Sequence, residues 1–328
     1  GLGDVYKRQV KDQVVTGIAG GEFGIRGFLD SYNATSGNRE WRAYTIPGPD
    51  HPDNQSWAGE SWRTGGSPTW ITGSYDPDLD LVYWGTGNPG PDYNGDMRLG
   101  DNLYADSVLA LDGDSGELSW YFQFTPQDVH DLDAIQIPIL ADLEFDGEMR
   151  KVMMWANRNA FYYTLDRETG EFLWATPTVS QNVISNIDGA SGVVTENAEV
   201  VFTADGQEVM ACPTWQGGKD WEAGAYSPLT NTMYMPLRHT CGRMMAATDT
   251  GWYALRVRTQ ITPGVDQLGT IQAISAETGE TTWTHDQEAF TITLAVTGGG
   301  LVFAGEARNL RDRLAEAAAC LLYTSPSP

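Results

Sequence analysis

The sequence has little positive charge, few cysteines and no long hydrophobic run. Its 328 residues include 20 Lys and Arg against 44 Asp and Glu, which leaves a formal net charge of −24 at pH 7. A protein that binds nucleic acid needs clustered Lys and Arg to neutralise phosphates, so this balance excludes that class. A transmembrane helix needs roughly 18 consecutive apolar residues, and no stretch of the sequence approaches that length.

Only three cysteines occur, and none lies in the CxxCH pattern that attaches haem covalently. The two ends of the chain differ in character from its middle. Residues 1–9 and 307–328 resemble translated adapter sequence, because the helix-like composition of Ala307–Leu322 follows abruptly on the strand-like Gly298–Gly305. We therefore expect 1–9 and 307–328 to be non-native tails, and residues 10–306 to be an internal fragment of one larger domain.

One sequence pattern recurs four times: a short apolar strand, a turn with glycine, and a tryptophan four residues after that glycine. The copies are Tyr32–Trp41, Leu111–Trp120, Leu165–Trp174 and Ile274–Trp283. Polar turns with glycine at a positive φ join antiparallel strands into hairpins. A unit of roughly 50 residues cannot bury its own faces and must stack on its neighbours. The pattern predicts an all-β fold, a β-propeller in which each tryptophan docks on the adjacent blade.

The segment Thr125–Ala134 concentrates ionisable side chains. Its sequence TPQDVHDLDA places Asp128, His130, Asp131 and Asp133 within residues that follow neither helical nor strand periodicity. Such a loop can gather oxygen ligands around a hard cation, or hold one carboxylate ready to accept a proton. Acidic loops are also common as solvated surface, and the segment alone leaves these alternatives open.

Seven motifs, in the order of the chain, resemble those of one enzyme family. They are GGEFGIRGF from Gly20, WRAYTIPGP from Trp41, PTWITGSYDP from Pro68, YWGTGNPGP from Tyr83, RLGDNLYADSVLALD from Arg98, TPQDVHDLDA from Thr125 and WANRNAFYYTLDR from Trp155. Over about residues 15–305 the chain is similar to the pyrroloquinoline quinone-dependent alcohol dehydrogenases, periplasmic quinoproteins that include methanol dehydrogenase. The resemblance implies an eight-bladed β-propeller, of which about five blades are present and some are incomplete.

The resemblance implies a metal site beside the quinone. Its ligands would be Glu22, Asn88, Asp131 and Asp133, which supply the oxygen atoms that a hard cation prefers. An aspartate at the position of Asp133 resembles the lanthanide-dependent branch of the family, whereas the calcium-dependent methanol dehydrogenases carry a small uncharged residue there. A trivalent ion compensates a third carboxylate better than a divalent ion does. We expect one lanthanide(III) or Ca²⁺ ion, with the lanthanide favoured; the alternative is that Asp133 points to solvent.

The resemblance also assigns residues to the cofactor, pyrroloquinoline quinone. These residues are Gly20, Gly21, Glu22, Trp70, Arg158 and Asp220. Trp70 would form a flat floor under the quinone ring, and Arg158 would hydrogen-bond the quinone oxygens. Asp131 would be the catalytic base that accepts the alcohol proton. Asp220 stands where methanol dehydrogenases have asparagine, and a buried acid near an anionic cofactor is unfavourable unless it is protonated or turned away.

Other positions depart from the family pattern or complete it. His130 stands in place of a tryptophan found before the catalytic aspartate in methanol dehydrogenases, which argues for a differently shaped substrate pocket. Asn157 and Ala160 replace a common aspartate and a common glycine. Cys212 and Cys241 match a structural disulfide of the methanol dehydrogenases, which an oxidising periplasm permits.

The implied function is the oxidation of a small primary alcohol to the aldehyde by hydride transfer to the quinone, with electrons passing on to a periplasmic cytochrome c. The expected location is periplasmic, with the signal peptide missing from a fragment that is itself inactive, and a homodimer is one option for assembly. Two alternatives stay open: a related quinoprotein such as a glucose dehydrogenase, and a non-catalytic propeller of the outer-membrane assembly scaffold type. Glu22, Asn88, Asp131 and Arg158 together favour the enzyme, since a scaffold has no chemical use for all four.

Overall fold

The computed structural model describes residues 7–93, 95–145, 147–201, 206–246, 255–306 and 320–324. The strands in chain order are β1 Lys7–Val10, β2 Gln13–Thr16, β3 Phe28–Asn33, β4 Arg39–Tyr44, β5 Ser74–Asp76, β6 Leu81–Gly85, β7 Ser107–Asp112, β8 Leu118–Gln123, β9 Ile139–Phe145, β10 Glu148–Ala156, β11 Phe161–Asp166, β12 Phe172–Pro177, β13 Ile184–Ile187, β14 Val194–Glu196, β15 Glu208–Ala211, β16 Ala225–Ser227, β17 Thr232–Arg238, β18 Thr240–Ala246, β19 Leu255–Ile261, β20 Gly269–Ser275, β21 Thr281–Gln287, β22 Thr291–Val296, β23 Leu301–Glu306 and β24 Cys320–Thr324. Short 3-10 helices lie at Gly21–Phe23, Pro52–Ser56, Ser61–Thr64 and Gly95–Arg98. Within these ranges no helix is long and apolar enough to cross a membrane.

Consecutive strands pair into antiparallel sheets of one design. β1–β4, β5–β8 and β9–β12 each form a four-stranded sheet in which every strand pairs with the next along the chain. A fourth sheet pairs β16, β17, β20 and β21 in that order, and a fifth contains β22, β23 and β24. Repeated up-and-down sheets of this kind are the blades of a propeller. They are here called blades 1 to 5.

Additional strands interrupt the blade pattern after blade 3. β13 and β14 form a hairpin, and β15, β18 and β19 form a separate three-stranded sheet. In the sequence, β18 and β19 lie between the second and third strands of blade 4. A disulfide joins Cys212, just after β15, to Cys241 in β18. This bond confirms the pairing that the family resemblance implied.

The apolar cores lie between blades rather than inside them. Leu29 of blade 1 clusters with Val82 of blade 2, whereas the next residue, Tyr83, clusters with Trp155 of blade 3. Successive side chains of a strand point to opposite faces, so one strand contributes side chains to the cores on both sides of its blade. The same arrangement joins blades 3 and 4 and blades 4 and 5. A blade therefore buries its faces only against the blades beside it.

Tryptophan rings of the repeat lie on the turn glycines of the following repeat. The three contacts, here called the seams, are Trp41 on Gly116, Trp120 on Gly170 and Trp174 on Gly279. A Cβ atom added to Gly170 would lie 2.7 Å from the Trp120 ring, so any other residue would displace the tryptophan. The seams confirm the prediction that each of these tryptophans docks on the adjacent blade.

The turns that receive the tryptophans share one hydrogen-bond pattern. Oδ1 of Asp112 accepts hydrogen bonds from the backbone N–H groups two and three residues ahead, and Oδ1 of Asp166 does the same in the next repeat. Gly116 and Gly170 then adopt φ values of +71° and +79°. Residues with a Cβ atom rarely adopt this conformation, which explains why a glycine stands four positions after the aspartate in each turn.

Both expected tails overlap with strands. Residues 7–9 pair with β2 as part of blade 1, whereas residues 1–6 of that tail lie outside the described residues. At the other end, β24 pairs with β23 although it lies within 307–328. The division of the chain at residues 9 and 306 stays a prediction.

Candidate functional site

The acidic loop, Thr125–Ala134, is buried rather than solvated. It connects blade 2 to blade 3, and Asp128 and His130 within it have no exposed surface. The two carboxylate oxygens of Asp128 accept the backbone N–H groups of His130 at 2.8 Å and Leu132 at 2.7 Å. These hydrogen bonds fix the path of the loop, and the burial excludes the alternative that it is a solvated surface segment.

Asp133 points into the protein and is only 4% exposed. Its Oδ1 accepts the backbone N–H of Asn88 at 2.6 Å, and its Oδ2 accepts the indole N–H of Trp70 at 3.0 Å. Nη2 of Arg158 lies 3.4 Å from the same Oδ2. Three residues predicted to bind metal or cofactor therefore contact Asp133, and the alternative that it points to solvent is excluded.

Asp131 is presented by an unusual backbone conformation. Its φ is +61°, a region that residues other than glycine rarely adopt and that is concentrated at functional sites. The hydroxyl of Tyr93 donates to Oδ2 at 3.2 Å. Nη1 of Arg158 donates to the backbone carbonyl of Asp131 at 2.9 Å and lies 3.4 Å from Oδ1. The side chain keeps 18% of its surface exposed, so a small molecule can reach the carboxylate.

Arg158 is the cation at the centre of the site. Its Nε and Nη2 lie 2.8 and 2.6 Å from Oδ1 of Asp220, in addition to the contacts with Asp131 and Asp133. Asp220 is thus neither isolated nor turned away, because the guanidinium compensates its charge. Burial alone would lower the pKa of Arg158, but the charges of Asp220, Asp133 and Asp131 raise it.

The glycines before Glu22 allow close approach of the backbone. Gly20 has a φ of +103°. A Cβ atom on Gly21 would lie 2.9 Å from Pro68 and 3.0 Å from Oδ1 of Asn88, so no other residue fits there without displacement. Glu22 follows Gly21 in the short 3-10 helix, and its charge contributes to raising the pKa of Asp92.

Two residues that the family motifs did not single out also belong to the site. Asp92 is 2% exposed, and its Oδ1 accepts a hydrogen bond from Nδ2 of Asn88. That bond leaves the amide oxygen of Asn88 facing Gly21. Tyr93 contacts Asp131 as described above. Both residues follow directly on the motif GTGNPGP, and this proximity was the one signal available in the sequence.

Arg158 with its partners Asp131, Asp133 and Asp220, together with Asp92, which is linked to them through Asn88, is here called the acidic centre. Burial raises the pKa of Asp131 well above its usual range, and the charge of Asp133 adds to the effect. Burial also raises the pKa of Asp133 although Arg158 opposes it. Burial, with the charges of Glu22 and Asp133, raises the pKa of Asp92 to about 8. The acidic centre is therefore short of positive charge, which a bound cation would supply.

The chemistry of the acidic centre suits a hard cation. Its donors are carboxylate oxygens with the amide oxygen of Asn88 nearby, and they are the ligands that Ca²⁺ and similar ions take. Trp70 offers an aromatic ring whose N–H is held by Asp133. The donor set thus fits a metal ion beside a flat aromatic cofactor. The roles assigned to the individual residues stay predictions.

A closer grouping of ligand atoms lies behind the acidic loop. Among the residues that the structure describes, one trio of acidic, His or Cys side chains has its ligand atoms all within 4.8 Å of one another. It consists of Asp128, His130 and Glu196. No sequence motif indicated Glu196, which lies at the end of β14.

Comparison with known proteins identifies relatives of the chain. Residues 8–186 match the family model for the β-propeller domain of glucose, ethanol and alcohol dehydrogenases that use pyrroloquinoline quinone. The chain is 38% identical over 262 residues to the lanthanide-dependent methanol dehydrogenase of Methylorubrum extorquens, covering 71% of the chain and 43% of that relative. It is 37% identical over 249 residues to the quinohemoprotein alcohol dehydrogenase ADH IIB of Pseudomonas putida, covering 72% and 36%.

The chain is also similar in fold to a solved structure of the same kind of enzyme. A europium-containing methanol dehydrogenase superposes with a TM-score of 0.85 at 34% identity, covering 91% of the chain and 56% of that protein. This match confirms the predicted all-β propeller of the quinoprotein alcohol dehydrogenase type. The chain spans about half or less of the length of the relatives named here.

Proposed function

The chain belongs to the glucose/ethanol/alcohol dehydrogenase β-propeller family of pyrroloquinoline quinone proteins, and we propose that the full-length protein oxidises a primary alcohol to the aldehyde. The relatives it matches are named as quinoprotein, quinohemoprotein and methanol dehydrogenases. Because the chain covers 36 to 56% of these proteins, the activity is proposed for the complete propeller and not for the 328 residues alone.

The observation that carries the proposal is the position of Arg158 among Asp131, Asp133 and Asp220. Burying several charges around one guanidinium is costly, and buried ion pairs contribute little net stability. A propeller with a purely structural task gains nothing from this arrangement. A site that binds a cation and transfers a proton requires such a group of buried charges.

Each residue of the site has a chemical task in this proposal. When bound, pyrroloquinoline quinone supplies the hydride acceptor. Asp131 accepts the alcohol proton on its partly exposed carboxylate, which Tyr93 and Arg158 orient. Arg158 would donate hydrogen bonds to the oxygen atoms of the quinone, and Trp70, whose N–H donates to Asp133, would offer its flat ring to the cofactor. Gly20 and Gly21 would let the cofactor approach the backbone closely.

The ion would be held by Glu22, Asn88, Asp131 and Asp133, and we favour a lanthanide(III) over Ca²⁺. The charge of Asp133 raises the pKa of Asp131, and a trivalent ion compensates two neighbouring carboxylates better than a divalent one. A relative named as lanthanide-dependent and another named as europium-containing support this choice. A cation beside Asp131 also lowers its pKa and so keeps it ionised for its task as base.

The proposed partner is a periplasmic cytochrome c that accepts electrons from the reduced cofactor. The Cys212–Cys241 disulfide supports an oxidising compartment, which for a bacterial protein of this kind is the periplasm. A homodimer is the proposed assembly of the complete protein.

The test is dye-linked alcohol oxidation by a full-length version of this gene, reconstituted with pyrroloquinoline quinone and either lanthanum or calcium. We expect activity with lanthanum. Activity with calcium alone would keep the alcohol dehydrogenase and refute the proposed metal. A folded protein that is inactive with both ions would support a non-catalytic scaffold instead.

Two substitutions assign the roles within that protein. Asp131→Ala should abolish turnover while the fold is retained, because no other group replaces the proton acceptor. Asp133→Ala should reduce activity with lanthanum more than activity with calcium. Wild-type turnover in Asp131→Ala would remove Asp131 as the base, and equal losses with both ions in Asp133→Ala would remove Asp133 from the metal.

A further inference from the structure

A buried arginine, Arg98, lies outside the ion pairs of the acidic centre and has no exposed surface. Its guanidinium donates hydrogen bonds to the amide oxygen of Asn102 and to the backbone carbonyls of Pro91, Asp92 and Asp128. We propose that Arg98 is a positioning residue, which fixes the separation of the two loops that carry proposed metal ligands and so sets the affinity of the site for a hard cation. This assignment rests on the proposed function, whose metal site it deepens.

Arg98 holds the loop that follows β6 at two successive residues. Its Nε lies 3.0 Å from the carbonyl oxygen of Pro91, and its Nη2 lies 2.6 Å from the carbonyl oxygen of Asp92. The carboxylate of Asp92 in turn accepts a hydrogen bond from Nδ2 of Asn88, which is a proposed metal ligand. By fixing the backbone of Asp92, the guanidinium therefore also restrains the amide of Asn88.

The same guanidinium also holds the acidic loop. Its Nη2 donates a second hydrogen bond, to the backbone carbonyl of Asp128. The carboxylate of Asp128 accepts the backbone N–H groups of His130 and Leu132. These two residues flank Asp131, whose φ of +61° sets the direction of its carboxylate. Through Asp128, Arg98 thus acts on the segment that presents a second proposed metal ligand.

The planar fork of donors explains why arginine suits this position. A guanidinium presents five N–H groups in a fixed geometry, whereas the donors of a lysine all lie on one nitrogen. Here all three nitrogens are used, because Nη1 lies 2.8 Å from Oδ1 of Asn102. Nδ2 of Asn102 donates back to the carbonyl of Arg98 at 2.6 Å, so the arginine is itself held in place. A lysine cannot reach acceptors that are spread over three separate nitrogens.

The charge of Arg98 and its hydrogen bonds have opposite effects on a bound cation. Burial lowers the pKa of Arg98, while the charges of Asp128, Asp106 and Asp92 oppose this. A positive charge so close to the site repels a metal ion and weakens its binding. The hydrogen bonds hold the ligand-bearing loops in place and strengthen binding. The sign of the change in affinity after removal of Arg98 therefore separates the two effects.

The experiment measures the binding of Tb³⁺, a lanthanide ion whose luminescence is sensitised by nearby tryptophan, to the chelator-treated full-length protein. Trp70 lies at the site, since its N–H donates to Asp133. Arg98→Lys keeps the charge and loses the fork of donors, whereas Arg98→Met loses both. Glu22→Gln removes one proposed ligand charge and defines the signal that comes from surface sites.

Arg167→Lys is the matched control. Arg167 is also buried, and its guanidinium also joins separate segments, but it does so through Asp76 and Asp142 at the contact between blades 2 and 3. Its replacement should lower stability and leave the affinity for Tb³⁺ unchanged. Asn102→Gly is a milder variant that removes one acceptor of Arg98 and suits the φ of +57° at this position. It provides the test if the Arg98 variants do not fold.

We expect Arg98→Lys and Arg98→Met to weaken Tb³⁺ binding by about 10- to 100-fold, the usual effect of removing a residue that orients metal ligands. Asn102→Gly should weaken it by a smaller factor. Luminescence lifetimes in H₂O and D₂O report how much water is bound to the ion, and they should show more bound water in Arg98→Lys. Wild-type affinity in folded Arg98→Lys, or tighter binding by Arg98→Met, would overturn the proposal. If neither folds, wild-type affinity in Asn102→Gly would overturn it.

The same titrations distinguish a failure of this assignment from a failure of the proposed function. Binding that depends on Glu22 but not on Arg98 would refute the positioning role and leave the metal site intact. Equal binding by the wild type and Glu22→Gln would refute the metal site itself, and the role of Arg98 with it. Alcohol oxidation is measured separately, with pyrroloquinoline quinone.

Discussion

At the seams between blades, tryptophan rings cover glycines, whereas in the acidic centre charged side chains face one another. The Trp120 ring on Gly170 carries no charge, and the turn beneath it has the same hydrogen bonds as the turn of the preceding repeat. Arg158 instead forms ion pairs with Asp131, Asp133 and Asp220, and no other arginine in the described part of the chain pairs with three carboxylates.

The seams contribute to the stability of the fold, whereas the acidic centre contributes the charged groups of the candidate site. A seam removes apolar surface from water, which favours folding without any charge having to be compensated. The acidic centre buries charges, which costs free energy unless each has a partner. Substitutions at a seam should therefore only destabilise the protein. The effect of removing a charge in or beside the acidic centre should instead depend on whether that charge forms buried ion pairs.

The largest expected effect comes from Arg158→Met. It leaves Asp131, Asp133 and Asp220 buried without their shared cation, and breaking a buried ion pair in this way costs about 3 to 5 kcal/mol. Urea unfolding at pH 8 in the absence of metal measures the loss. Arg150→Met is the control, since Arg150 pairs with Glu171 near the surface and should contribute at most about 1 kcal/mol. Equal losses would mean that the acidic centre does not depend on this cation.

The next effect sharpens the role of the seams. Gly170→Ala should lower the free energy of unfolding by about 2 to 4 kcal/mol, because the new Cβ meets the Trp120 ring and the φ of +79° is unfavourable. Gly37→Ala is the matched control. Gly37 has a φ of +72° but no atom within 4 Å of its would-be Cβ, so only the backbone term of about 1 to 2 kcal/mol should appear. Identical losses in urea unfolding would contradict a stabilising role for the tryptophan contact.

A smaller effect of opposite sign tests the acidic centre again. Lys219 is 4% exposed next to Asp220, and burial lowers its pKa from 10.5 to about 7. The folded state therefore binds fewer protons than the unfolded state between these pH values, so this residue destabilises the protein most below pH 7 and least above pH 10.5. Lys219→Met should stabilise by about 1 to 3 kcal/mol at pH 6.

The gain in stability from Lys219→Met should shrink as the pH rises from about 7 towards 10.5. Over this range Lys219 loses its proton in the wild-type protein, and the cost of burying its charge disappears. Chemical unfolding at a series of pH values measures this dependence. Lys151→Met in blade 3 is the control and should change stability by no more than about 0.5 kcal/mol. A gain that is constant with pH would show that Lys219 acts through packing and not through its charge.

The repeat was predictable because its structure is encoded locally. Asp166 bonds to N–H groups two and three residues ahead, and Gly170 supplies the positive φ that completes the turn. The family motifs also indicated Asp133, Trp70 and Arg158 as members of one site, and the structure brings these three together. The pairing of Asp220 with Arg158 and the burial of Asp92 could not be read from local patterns.

The blades and the seams follow from the sequence alone, because turn chemistry and alternating strands depend on neighbours within a few residues. Which charged side chains pair with one another depends on the tertiary fold. Arg158 and Asp220 are 62 residues apart in the chain, and Asp133 and Trp70 are 63 apart. Glu196 likewise reaches His130 only because an inserted hairpin folds back on the acidic loop. Electrostatic partners are selected by distance in space, and the packing of whole blades sets that distance.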